Sequence, residues 1–212
     1  MKQIVVCIHG KNGSPKEANH YKTLFNKADV VGLDYKADTP WAAKEEFPKL
    51  FDKLTRGYDS VILIASSIGA YFSMHALSSK HIDKAFFISP VVDMNRLIKN
   101  MMNVANVSED ELEEKKTIET SFGETLSYEY LNYVRDNPIF WKKPTHILYG
   151  EKDNLQSFET IVFFSTKVGA TLNVIENGEH YLHTEEEMKM IGSIIMEAAE
   201  KPKVEAGGAL AV

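Results

Sequence analysis

Six short apolar runs, at residues 4–8, 30–33, 61–65, 85–88, 147–149 and 172–175, constrain the fold of this chain more than any other feature. Most are continuous rather than alternating, and they are rich in Val and Ile. Strands buried on both faces of a parallel sheet read this way. Between them lie segments of helical character. Residues 41–54 carry Phe47, Leu50, Phe51 and Leu54 at the spacing of one helix face, residues 68–77 follow the third run directly, and residues 157–168 separate the fifth from the sixth. Thr184 and Glu187 form a capping-box pair that starts a last helix, with Met188, Ile191 and Ile195 as its buried stripe. Strand and helix in alternation predict an α/β fold with right-handed crossovers.

One stretch breaks the alternation. Residues 91–143 contain no good strand, but they carry a charged helical piece at 109–116 and an aromatic one at 128–134. A segment of that length between two core strands reads as an inserted helical lid, or as a helical crossover bearing an ornament. The core is then residues 1–90 and 144–200. The tail, residues 201–212, has Pro202 and a Gly-Gly pair and is expected to be disordered.

Composition excludes several classes of function. At 212 residues the chain can bury a substantial core as one domain with an insertion. A formal charge of −6 with no Lys/Arg stripe argues against a nucleic-acid partner. The single cysteine, Cys7, leaves no internal disulfide and fits a reducing compartment. The first apolar run is shorter than the roughly 7–15 residues of a signal-peptide core. No run approaches the roughly 18 apolar residues of a membrane span. A soluble, cytoplasmic protein is expected. No P-loop glycine pattern and no spaced metal-ligand set accompany His180 and His183, so neither metal nor cofactor is expected.

The chemistry-bearing feature is V-I-L-I-A-S-S-I-G-A at 61–70, where a strand runs straight into a helix with serine at the corner. A nucleophile elbow holds its serine in a strained turn, so the residues two before and two after must be small. Around Ser67 these are Ala65 and Gly69; around Ser66 they would be Ile64 and Ile68. Ser67 is the nucleophile candidate, with a plain serine helix cap as the bland reading. The first strand ends in H-G-K-N-G at 9–13. That loop can bring a backbone N–H beside the serine, and the residue after the nucleophile supplies a second. Lys11 N–H and Ile68 N–H are the candidate oxyanion donors, and His9 reads as a turn-stabilising histidine.

A serine hydroxyl needs a base to take its proton, and that base needs a carboxylate to fix its tautomer. G-E-K-D at 150–153 follows the fifth strand, at the carboxyl edge of the sheet where open α/β folds bind ligands. Asp153 is favoured there over Glu151, which reads as a solvated loop charge. G-E-H-Y-L-H at 178–183 follows the sixth strand and offers His180 and His183 as bases.

These four motifs, in this order, resemble the α/β-hydrolase family over almost the whole chain apart from the tail. The resemblance implies a Ser67–Asp153–His180 triad, prefers His180 to His183, and implies no cofactor. It also implies ester, thioester or amide substrates and a lid after the strand that follows the nucleophile helix. Two departures are visible: Ala65 stands where the elbow usually has glycine, and the leading antiparallel hairpin of the full fold is missing. A minimal six-stranded parallel sheet is therefore expected, with chain-order strands arranged 2-1-3-4-5-6. The family's alternative acid position makes Asp93 a reserve candidate. A carboxylesterase acting on a small acyl substrate is the first expectation. Peptidase, thioesterase, haloperoxidase or perhydrolase activity would use the same triad, and a non-catalytic ligand-binding module could use the same fold.

Overall fold

The computed structural model describes residues 1–200, so the expectation for residues 201–212 lies outside the described residues. Six strands form one sheet: β1 (Gln3–Ile8), β2 (Asp29–Gly32), β3 (Ser60–Ser66), β4 (Lys84–Ile88), β7 (Thr145–Gly150) and β8 (Thr171–Ile175). Their spatial order is β2-β1-β3-β4-β7-β8, and every pairing is parallel. In chain order that is the expected 2-1-3-4-5-6. Burial explains why the sequence was readable here. The four inner strands are buried almost throughout, whereas the edge strands β2 and β8 are only partly so. Continuous apolar runs are what two covered faces require.

One face of the sheet is covered by α1 (Pro40–Thr55), α2 (Ser67–Ala76) and α6 (Phe158–Val168). Phe47 and Phe51 of α1, Tyr71, Phe72 and Met74 of α2, and Ile161 and Phe164 of α6 bury there against Val6, Leu63, Phe87 and Ile147. The other face is covered by a 3₁₀ segment, Pro15–Tyr21, and by α7 (Glu185–Glu200). Ile191, Ile195 and Ala198 of α7 pack with Tyr21 against Val5, Cys7, Ile64 and Leu148. The box before α7 forms as read: Glu187 accepts from the Thr184 N–H at 2.8 Å, and Thr184 Oγ1 accepts from the Glu187 N–H at 3.2 Å.

Between β4 and β7 the chain forms α3 (Met94–Ala105), α4 (Glu109–Lys115), a hairpin of β5 (Thr117–Glu119) and β6 (Thr125–Ser127), and α5 (Tyr128–Asp136). Two of these differ from the reading of the sequence. The antiparallel hairpin occupies a stretch expected to hold no strand, because three-residue strands are too short to show a period of two. The α3 helix was not separated from its surroundings, although Asp93 caps it and Met94, Ile98 and Met102 are buried at four-residue intervals. These side chains, with Leu112, Leu126, Leu131 and Trp141, join the main core cluster. Much of the segment's apolar content therefore packs it onto the sheet. Among the described residues no helix is long and apolar enough to cross a membrane.

Candidate active site

Three loops at the carboxyl edge of the sheet meet over the central strand β3. At its end the chain turns abruptly into α2, with Ser67 at a φ of 50°. Few non-glycine residues adopt that conformation unless their surroundings enforce it. Here the enforcement is close packing. A Cβ on Gly69 would lie 2.2 Å from the His9 carbonyl oxygen, and one on Gly10 would lie 3.2 Å from the Ser67 Cβ. Ala65 is fully buried, paired across to Ile8 and Phe87. Its single methyl fits where glycine was expected.

The loop after β1 is held from outside. The His9 ring stacks on Tyr35 at 4.4 Å and its Nδ1–H donates to the Gly10 carbonyl at 2.8 Å, while the Tyr35 hydroxyl donates to the His9 carbonyl at 2.9 Å. Burial, with Glu17 and Glu46 nearby, raises the Tyr35 phenol well above its ordinary range, so it stays protonated as a donor. His9 is thus structural, as read. The turn closes with the Gly13 N–H on the Gly10 carbonyl at 3.2 Å. Lys11 follows Gly10 in that turn, and Ile68 is the second residue of α2, whose N-terminus has no side-chain cap. Uncapped N–H groups at a helix start favour negative charge. The Lys11 ammonium itself pairs with Glu124 at 2.5 Å, joining this loop to the turn between β5 and β6.

The acid and base loops are locked to each other. A Cβ on Gly150 would lie 2.3 Å from the Glu179 carbonyl and 2.6 Å from that of Gly178. The Lys152 N–H donates to the Gly178 carbonyl at 2.7 Å, and the Asn177 N–H donates to the Glu151 carboxylate at 2.9 Å. Glu151, read as a simple solvated charge, therefore also braces the neighbouring loop. Asp153 is buried. Its Oδ1 accepts from the N–H groups of Leu155 at 2.8 Å and Gln156 at 3.2 Å, and its Oδ2 accepts from His180 Nδ1–H at 2.8 Å. A carboxylate can only accept, so the ring's proton sits on Nδ1 and Nε2 is left to accept. Ser67 Oγ lies 2.8 Å from that Nε2. One unbroken chain of hydrogen bonds therefore runs from hydroxyl to imidazole to buried carboxylate.

The other candidates stand apart. His183 stacks on Tyr181 and bonds to that residue's carbonyl on the exposed side of the loop. Asp93 caps α3, accepting from the Arg96 N–H at 2.9 Å. Sequence reasoning missed Gln156, which is 2% exposed. Besides its N–H bond to Asp153, its side-chain oxygen accepts from the N–H groups of Val92 and Asp93 at 3.0 and 2.9 Å. A glutamine three residues after an acidic one carries no signal until the loop folds. Among the described residues no group of three or more His, Cys, Asp or Glu is arranged to hold a metal ion.

Solved structures share this architecture over nearly the full chain. Mouse alpha/beta hydrolase domain-containing protein 10 superposes with a TM-score of 0.74 at 16% identity, covering 93% of this chain and 89% of that one. The chain has the α/β-hydrolase fold. Est1E from Butyrivibrio proteoclasticus, in a structure with ferulic acid bound, shares this hydrolase fold with a TM-score of 0.69 at 18% identity, covering 94% and 90%. The thioesterase domain from the curacin biosynthetic pathway does so with a TM-score of 0.56 at 15% identity, covering 92% and 91%. No family model and no curated protein matches the chain at the level of sequence.

Proposed function

We propose that this α/β-hydrolase chain is a serine hydrolase that cleaves a carboxylic ester through an acyl-enzyme. Ser67 is the nucleophile, His180 the general base and Asp153 the residue that orients and stabilises the imidazolium. The observation that carries this reading is the pair of 2.8 Å hydrogen bonds through His180, ending on a serine held at positive φ. A serine that merely capped a helix would need neither a histidine aimed at its hydroxyl nor a buried carboxylate behind that histidine.

In the first half-reaction Ser67 Oγ attacks the ester carbonyl while its proton moves to His180 Nε2. The charge that develops on the carbonyl oxygen is held by the N–H groups of Lys11 and Ile68, helped by the positive end of α2. His180 then gives its proton to the departing alkoxide, leaving the acyl group on Ser67. Water attacks that acyl group as His180 takes its proton, and His180 returns the proton to Ser67 Oγ as the acyl–oxygen bond breaks and the carboxylic acid leaves. Asp153 stays ionised throughout. No step needs a cofactor.

An ester is preferred to an amide or thioester because Est1E, which shares the fold, binds ferulic acid, a carboxylic acid of the kind that ester cleavage releases. Residues 91–143 reach the loop after β1. We assign those residues as a lid over the site, resting on the oxyanion loop through Glu124 and Lys11. The test is a panel of p-nitrophenyl esters of graded acyl size, with thioester and aminoacyl-amide counterparts. Hydrolysis of the esters, lost in Ser67→Ala and His180→Ala, supports the reading. Equal turnover by wild type and Ser67→Ala overturns it, and preference for the thioester series reassigns the substrate.

A further inference from the structure

The exposed apolar side chains of this molecule are mostly scattered, as on any folded surface. The outer face of α6 is different. Phe158, Val162 and Phe163 are 51%, 37% and 72% exposed within two turns of one helix, and together with Glu159, Thr166 and Lys167 they line a single shallow, apolar depression. Leaving three large apolar side chains in water is unfavourable, and nothing in the triad uses them.

The arrangement of charge identifies the occupant. Glu159, Phe163 and Lys167 stand four residues apart in one row along the helix. At 1.5 Å per residue each charge lies about 6 Å from Phe163, on opposite sides of it. Among the described residues neither Glu159 nor Lys167 has an ion-pair partner. A row with an acid at one end, a base at the other and an aromatic ring at its midpoint is complementary to itself when reversed. A twofold axis through Phe163 would set two α6 helices antiparallel, ring against ring, with each Glu159 facing the other copy's Lys167. An isologous interface requires self-complementarity of this kind, and a patch made for an unrelated partner does not.

We propose that this face of α6 is a self-association surface that joins two copies of the chain about a twofold axis at Phe163. The contact is small beside the roughly 800 Å² per partner of a standard interface, and two chains of charge −6 repel. The dimer therefore forms weakly, and more readily at physiological salt than at low salt.

Sedimentation velocity on the full chain at physiological salt, from about 1 μM to about 1 mM, tests the proposal. The expected result is a mass rising with concentration from 23.9 kDa towards twice that value. Phe163→Glu should hold the chain monomeric over the whole range. Glu159→Lys and Lys167→Glu should each weaken association at least about tenfold, since each sets like charges face to face twice. The double variant E159K/K167E restores the pattern with its ends exchanged and should bring association back to near the wild-type level. Thermal melts followed by circular dichroism check that every variant is folded. A monomer at the highest concentration, association insensitive to Phe163→Glu, or a double variant no better than the singles would each overturn the proposal. Association is read independently of hydrolysis, so either reading can fail alone.

Discussion

The loops that carry Ser67, Asp153 and His180 and the segment from α3 to α5 are built in opposite ways. The loops spring directly from the ends of β3, β7 and β8, and pack closely at Gly10, Gly69, Gly150 and Gly178. The segment from α3 to α5 is made of separate helices and a hairpin over residues 117–127, and reaches the loop after β1 through exposed charge at Lys11 and Glu124. Backbone contact fixes atoms to fractions of an ångström, which acyl transfer demands. An exposed ion pair fastens without fixing, being worth only about 0–1 kcal/mol. The loops that hold Ser67, His180 and Asp153 are fixed by backbone contact, whereas the α3–α5 segment is held by its buried side chains and gains little from the Lys11–Glu124 pair.

Changes in the loops should therefore be severe and a change at the Lys11–Glu124 pair mild. The largest effect is expected of Ser67→Ala, a fall in kcat on the order of 10⁶-fold, with Asp153→Asn costing about 10⁴-fold, measured on the best ester with the thermal transition unchanged. Next comes Gly69→Ala, whose methyl would sit 2.2 Å from a backbone oxygen. A loss of about 3 kcal/mol in urea unfolding is expected, because backbone has nowhere to move. A loss below about 0.5 kcal/mol would show that the elbow is looser than described.

A smaller effect is expected of pH, at the contact between α2 and α5. Burial, with Lys44 beside it, lowers the His75 pKa from 6.5 to about 4. The unfolded chain then binds the proton more readily than the native one between those values. Stability is full above about pH 6.5 and falls as the pH drops towards 4. His75→Gln should flatten that part of the stability profile. The smallest effect is expected of Glu124→Gln, a change in stability within about 1 kcal/mol that disappears in high salt. A larger or salt-independent loss would mean that this pair fixes the segment rather than merely joining it to the loop after β1.

What could be read from the sequence follows the same division. The inner strands announced themselves because two covered faces leave a continuous apolar run, and the elbow because Ala65 and Gly69 flank one serine and not its neighbour. His180 and Asp153 were placed by loop order and family likeness, and the fold brings both within hydrogen-bonding distance in one chain with Ser67. The hairpin at 117–127 was invisible, since three residues per strand carry no periodicity. Helix α3 carries its own local signals, the Asp93 cap and the Met94, Ile98, Met102 spacing, within a stretch whose strongest helical patterns lie at 109–116 and 128–134. The bracing by Gln156 and Tyr35 depends on contacts between segments 63 and 26 residues apart, which no local pattern encodes.

An active-site phosphonate reads directly whether Ser67, alone among the serines, is activated by His180. Incubating the native protein with a fluorophosphonate and mapping the adduct by peptide mass spectrometry should place it on Ser67 alone, with Ser67→Ala unlabelled and His180→Ala labelled far more slowly. An adduct on another residue, or equal labelling of wild type and His180→Ala, would contradict that activation.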